Sequence, residues 1–226
     1  MRRPDATPSE APPPLLVCDF DGTLTRRDVG DALCDRFADP SWRQVDEAWL
    51  RGEISLPEAQ RSMWSTVRAG RDELLVAARE LGEFREGAAS LFAAVADGRL
   101  DLVIASGGFD LYIEPLLGPW LGLLEAAHYN RLEPAPTGAR PTFSDAWSCT
   151  RCAVCKGRIV RWWVDAGRTV AFCGDGSSDR CAIGEAPRLF AVTGSPLHRL
   201  CDEQGIGCVA FESFETVLQH MIGDLR

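Results

Sequence analysis

A chain of 226 residues, 46% hydrophobic and 25% charged, can build one large domain or one domain carrying a smaller insertion. Its formal net charge of −9 argues against a nucleic-acid partner, which needs a basic face, and no apolar run approaches the roughly 18 residues of a spanning helix, so no membrane partner is expected. A small anion stays open, because backbone N–H groups, one local cation or a metal can hold it.

Residues 1–14, with Pro4, Pro8, Pro12, Pro13 and Pro14, read as a disordered leader. Residues 15–18 are too short an apolar run for the core of a signal peptide, and an odd count of nine cysteines favours reduced thiols; the expected location is the cytoplasm. Leu15-Leu16-Val17-Cys18 reads as a buried strand that ends in Asp19-Phe20-Asp21-Gly22-Thr23, two carboxylates one residue apart followed by a turn-permissive glycine. Cys18 is expected to pack. Four helices follow, at 28–37, 41–50, 56–67 and 72–81, with no strand among them. They make a small helical cap over residues 28–86, inserted after the first strand.

From residue 87 the pattern alternates: a helix at 87–96, a strand at 100–105 ending in Ser106-Gly107-Gly108, and a helix over 109–117. Residues 126–145 suggest a hairpin or two short edge strands. A helix at 155–164, a strand at 169–173 and the loop Gly174-Asp175-Gly176-Ser177-Ser178-Asp179 come next; strands at 189–192 and 208–210 precede helices starting near Pro196 and Ser213. Trp162 and Trp163 are expected to cover the sheet, and His198 and His220 to lie at the surface. The fold class is α/β, a Rossmann-like parallel sheet over residues 15–27 and 87–226 plus the cap.

Three strands thus end in polar, glycine-containing loops, and in a parallel sheet those loops converge on one edge. Asp19, Asp21 and Asp175 would gather there, a donor set suited to a hard divalent cation such as Mg²⁺. The Ser106 hydroxyl, the Gly107 and Gly108 N–H groups at a helix start and the Lys156 ammonium at another helix start would complement a phosphoryl group.

In order and type, Asp19-Phe20-Asp21-Gly22-Thr23, Ser106-Gly107-Gly108-Phe109-Asp110, Lys156 and Gly174-Asp175-Gly176-Ser177-Ser178-Asp179 resemble the four motifs of the haloacid-dehalogenase-like phosphatases. The resemblance implies that Asp19 is the nucleophile of an aspartyl-phosphate intermediate and Asp21 the general acid and then base. It implies that Ser106 and Lys156 hold the phosphoryl group, that Asp19, the Asp21 carbonyl and Asp175 bind Mg²⁺, and that Asp179 supports them. Such a site would take a small phosphorylated metabolite. A phosphotransferase or mutase could use the same scaffold; a noncatalytic phospho-ligand sensor could dispense with the second acid. A homodimer is implied by family likeness alone.

The cap position resembles the phosphoserine-phosphatase branch, in which an acid nine residues after the nucleophile and a cap arginine contact the substrate. Asp28 and Arg61 occupy those places, with Asp standing where the branch has the longer Glu. Over the whole chain, Leu111-Tyr112-Ile113-Glu114-Pro115, Cys149 to Lys156, and the segments at 201–206 and 211–214 resemble the methionine-salvage phosphatases, which act on 2-hydroxy-3-keto-5-methylthiopentenyl-1-phosphate. Cys149, Cys152 and Cys155 form C-x-x-C-x-x-C, but a zinc site needs a fourth ligand that no neighbouring Cys or His pair supplies. His128 or another cysteine could supply it only through folding. The expected reading is small buried thiols beside the lysine helix.

Overall fold

A computed structural model describes residues 11–135 and 137–223. Strand β1 (Leu15–Cys18) is apolar and fully buried, and it runs into a tight turn at Phe20–Leu24. Four helices follow: α1 (Val29–Phe37), α2 (Trp42–Leu50), α3 (Leu56–Ser65) and α4 (Arg71–Leu81). Their starts follow capping chemistry. Asp28 accepts the Asp31 N–H at 2.8 Å, and Ser55 and Glu58 form a reciprocal capping box with Pro57 in the first turn. Helix α3 stops two residues short of its apolar pattern, because the Thr66 hydroxyl bonds the Met63 carbonyl at 2.7 Å and turns the chain; Val67 is buried outside the helix. The four-helix segment leaves and rejoins the core at one place, where Thr25 bridges Phe84, Arg26 N–H donates to Glu83 O at 2.8 Å and Arg85 N–H to Leu24 O at 2.8 Å.

The remaining elements are α5 (Ala88–Ala96), β2 (Asp101–Phe109), α6 (Asp110–Leu117), β3 (Ala126–Ala135), β4 (Gly138–Thr142), α7 (Lys156–Asp165), β5 (Val170–Gly174), α8 (Arg180–Ile183), β6 (Leu189–Val192), α9 (Pro196–Gln204), β7 (Val209–Phe211) and α10 (Phe214–Ile222). The strands form one sheet in the order β4-β3-β2-β1-β5-β6-β7, parallel except for β4. This is the α/β architecture expected of the alternating pattern. Cys18 lies opposite both Ile104 of β2 and Cys173 of β5, so the strand order reverses at β1. A crevice opens beyond the carboxyl ends of strands at such a switch point. Leu16 and Cys18 feed the core on one face of the sheet, Leu15 and Val17 the core on the other, as the two-residue period of a strand requires.

Several expectations are revised. Residues 106–108 are not a loop leading into a helix start; they continue β2, with a register shift between Ala105 and Phe109 that redirects the strand end. Residues 126–142 form an antiparallel pair whose first strand also extends the main sheet against β2. Trp162 does not cover the sheet: Ile159, Val160 and Trp163 take the inward face of α7, and the helical period leaves Trp162 51% exposed. Of the expected leader, residues 1–10 lie outside the described residues. The Pro13 carbonyl accepts from Arg168 and the Pro14 carbonyl from Asp101 N–H, both at 2.9 Å, which ties these two residues to the core.

Candidate active site

Asp19 is the first residue beyond β1. Its Oδ1 accepts the Phe20 N–H at 2.8 Å and lies 3.0 Å from Lys156 Nζ. Lys156 opens α7 and is buried with 1% of its side chain exposed; its ammonium also reaches Asp179 Oδ1 at 2.5 Å and donates to the Ser178 hydroxyl at 2.7 Å. Asp179 is fixed from the other side, its Oδ2 accepting the N–H groups of Asp175 and Gly176 at 2.9 Å each. Asp175 Oδ1 accepts the Thr23 hydroxyl at 2.9 Å. The turn that brings Thr23 there needs Gly22, with φ +74°, where a Cβ would strike the Asp175 carboxylate. Arg85 braces the same turn, donating to Thr23 O at 2.7 Å and Gly22 O at 2.5 Å.

Ligand oxygens of Asp19, Asp175 and Asp179 lie within 4.8 Å of one another around one ammonium. Burial, with the nearby Asp179 and Asp175, pushes the Asp19 carboxyl well above its ordinary range although Lys156 pulls it down. Burial and Asp179 lift Asp175 to about 6. Burial alone would favour neutral Lys156, but Asp179 and Asp19 hold its ammonium well above the usual lysine range. Ionised together, the three carboxylates would exceed what one lysine balances, and the raised Asp19 and Asp175 carboxyls register that repulsion. Hard oxygen donors with uncompensated charge fit a divalent cation such as Mg²⁺.

Asp21 faces the same crevice in a different setting. Tyr112 donates to its Oδ2 at 2.7 Å, Val29 N–H to its Oδ1 at 2.9 Å, and Ser106 Oγ lies 3.4 Å from Oδ2. Burial lifts its carboxyl to about 6 against the lowering effect of the Tyr112 and Val29 hydrogen bonds. Gly108 makes room for this arrangement, since a Cβ there would meet the Tyr112 hydroxyl and the Asp21 carboxylate. Ser106 Oγ accepts the Gly108 N–H at 2.9 Å, and the Gly107 carbonyl is held by Asn130 at 2.7 Å and by Gln60 of α3 at 2.8 Å.

These groups floor a cavity of about 240 Å³ roofed by α1, α2 and α3, where Asp28, Asp31, Asp46, Trp49, Leu56 and Met63 line the far wall. A model of the haloacid dehalogenase-like hydrolases matches residues 16–183. The chain belongs to this family. The 2-hydroxy-3-keto-5-methylthiopentenyl-1-phosphate phosphatase of Bacillus cereus (strain ZK / E33L) is 27% identical over 92% of this chain and 97% of its own length; that of Bacillus cereus (strain AH187) is 28% identical over 92% and 96%. A phosphoserine phosphatase solved as a phospho-aspartyl intermediate analogue is 18% identical and superimposes with a TM-score of 0.71 over 93% of this chain and 100% of its own, a likeness of fold.

For this haloacid dehalogenase-like hydrolase, the crevice brings together Asp19, Asp21, Ser106, Gly107, Lys156 and Asp175, with Asp28 at its edge and Asp179 behind Lys156. Burial among the facing acids and then repulsion from Asp21 push the Asp28 carboxyl up, while the Asp31 N–H it accepts pulls it down. Arg61 is not brought in. It is exposed and its guanidinium stacks on Phe143, 4.8 Å from the ring centroid, while its neighbour Gln60 faces the cavity. The expected helix N-terminus at Gly107 and Gly108 is also absent, because α6 begins at Asp110. Tyr112, Thr23, Arg85 and Asn130, which hold the candidate residues in place, are not singled out by the sequence reading.

Proposed function

We propose that the protein hydrolyses a small phosphomonoester by transferring its phosphoryl group to Asp19. What carries this reading is the contrast between two neighbouring acids: Asp19, whose raised carboxyl the Lys156 ammonium 3.0 Å away pulls back toward the anion, and Asp21, lifted by burial to about 6 with the Tyr112 hydroxyl on its Oδ2. The first suits an anionic nucleophile, the second a group that gives and retakes a proton near neutral pH. Asp19 Oδ attacks phosphorus and the ester P–O bond breaks; Asp21 protonates the departing alkoxide. Asp21 then takes a proton from water as that water displaces the phosphoryl group, returning Asp19 as carboxylate and releasing inorganic phosphate. Ser106 and Lys156 orient the phosphoryl oxygens. Asp19, Asp175 and the Asp21 carbonyl would hold Mg²⁺, whose charge would offset repulsion between the two anions. Asp179 supports the site by fixing Lys156 and the Asp175 loop.

Residues 28–86 serve in this reading as a cap that opens for substrate and excludes water when closed. The cavity wall favours the substrate of the methionine-salvage relatives over phosphoserine. Among the described residues lining the cavity Lys156 is the one cation, and with Arg61 outside, a substrate carboxylate would meet no cation on the far wall, where Asp28, Asp31 and Asp46 stand. A keto or hydroxyl group could accept from those acids where they hold a proton, and a methylthio group would suit Trp49, Leu56 and Met63.

Phosphate release from 2-hydroxy-3-keto-5-methylthiopentenyl-1-phosphate should exceed that from phosphoserine by about 100-fold or more in kcat/KM. The opposite ranking overturns the substrate assignment. Asp19→Asn should lower turnover of either by about 10⁴-fold or more, and near-wild-type turnover in that variant overturns the mechanism.

A further inference from the structure

The C-x-x-C-x-x-C run is three-quarters of a four-thiol cluster. Cys149, Cys152 and Cys155 approach α7 from the preceding loop, and Cys181 joins them from α8; all four sulfurs lie within 4.8 Å of one another. Cys152 Sγ and Cys181 Sγ are 3.8 Å apart. A tetrahedral ion with metal–sulfur bonds of about 2.3 Å sets its thiolates about 3.8 Å apart, whereas a disulfide requires about 2.05 Å. The loop is also shaped around sulfur: Cys152 N–H donates to Cys149 Sγ at 3.3 Å, and Cys149 N–H donates to Cys152 O at 3.0 Å. Such N–H···S contacts orient a thiolate and stabilise its charge. Gly157 lets the start of α7 close onto α8, since a Cβ there would collide with the Cys181 carbonyl oxygen.

We propose that Cys149, Cys152, Cys155 and Cys181 bind a single structural Zn²⁺ ion, separate from the acidic site at the strand tips. Four thiolates with no carboxylate or imidazole among them select a soft, tetrahedral ion over Mg²⁺. Each thiol releases its proton to solvent as its sulfur takes the metal, and no electron is transferred. The ion's place in the fold explains its use. Cys155 immediately precedes Lys156, and Cys181 follows Asp179 by two positions, so the ion clamps together the two segments that form the buried Lys156–Asp179 pair. The same loop receives α3, with Leu56 N–H donating to Arg151 O at 3.1 Å. Zinc thereby fixes both the position of the lysine and the surface on which the inserted helices rest.

Elemental analysis of the full-length chain, purified without chelator and dialysed after incubation with Zn²⁺, should find about one zinc per chain. In Cys181→Ser the zinc content should fall about tenfold or more, while Cys208→Ser, outside the cluster, should keep it. If Cys181→Ser does not fold, two measurements on the native chain decide. A mercurial thiol reagent should release zinc to a chromophoric chelator, and Co²⁺ in place of zinc should give the intense visible bands of a tetrahedral thiolate site. Less than about a tenth of a zinc per chain, iron in its place, a disulfide among the four cysteines, or full zinc retention in a folded Cys181→Ser variant overturns the assignment.

Discussion

Two groups of aspartates face one cavity under opposite regimes. At the strand tips, Asp19, Asp175 and Asp179 are each engaged: by Lys156, by the Thr23 hydroxyl, by the backbone N–H groups of the 174–176 loop. Across the cavity, Asp31 and Asp46 of the inserted helices are pulled down only by Arg43, whose ion pair at 2.6 Å goes to Asp35 instead, and Asp28 faces Asp21, Asp175 and Asp46. Burial and then the neighbouring Asp28 and Asp46 lift the Asp31 carboxyl to about 9. The first group is built around one cation and has charge left over for a second. The second is built to hold protons. One residue type thus supplies a floor engaged by a cation and hydrogen-bond donors and a far wall whose carboxyls resist ionising, and the surroundings alone separate the two.

Replacing Lys156 should break the floor most severely. Lys156→Met leaves two buried carboxylates, Asp19 and Asp179, without their cation, so a stability loss of about 3–5 kcal/mol is expected, with turnover down about 10³-fold or more. Thermal unfolding and phosphate release measure the two; an unchanged midpoint would show that the ion pairs do not hold the floor together. Tyr112→Phe should act more gently, on the proton rather than the charge. The lost hydrogen bond lowers the Asp21 pKa, so removing it raises the value above about 6. A general acid works while protonated, so the alkaline limb of the kcat/KM profile should move to higher pH, by roughly 1. A shift to lower pH contradicts the role given to Asp21.

The smallest effect is expected in the roof. Below about pH 4 both folded and unfolded chains keep the Asp31 proton, so Asp31→Asn should leave stability unchanged there. As pH rises, the unfolded chain ionises Asp31 while the folded chain retains its proton up to about 9, which progressively destabilises the wild type. The variant escapes that loss. Its thermal midpoint should exceed the wild type's by about 2–5 °C at pH 8, well below the full value of such a shift because Asp31 is only half-buried and water relieves its charge, with the difference vanishing toward pH 4; a destabilised variant at pH 8 would mean Asp31 works as an anion.

Much of the floor is legible from sequence because it is written in short local patterns. Asp19, Ser106 and Asp175 sit where apolar strands give way to polar, glycine-bearing stretches, and sheet topology brings the stretches together. What escapes is anything decided by rotation or by distance along the chain. Arg61 and Gln60 are adjacent on α3, and roughly 100° of helical turn puts the glutamine toward the cavity and the arginine on Phe143. Tyr112, inside the apolar helix α6, looks like core until its hydroxyl is seen on Asp21. Cys181 comes from a different element than the other three thiols, so their motif looked incomplete. Residues 106–108 read as a loop because glycines usually interrupt strands, whereas here a strand with a register shift carries them to the crevice.

The bridge between Thr25 and Phe84 has a consequence for how such a molecule can change over generations. The helical segment begins and ends at neighbouring points, between the turn that bears Asp21 and the rest of the sheet. Its ends are anchored there, so a different set of helices could be grafted in, provided it again supplied the contacts that Val29 N–H makes to Asp21 and Gln60 to the Gly107 carbonyl. A hydrolase built this way can acquire a new diet by exchanging its roof alone.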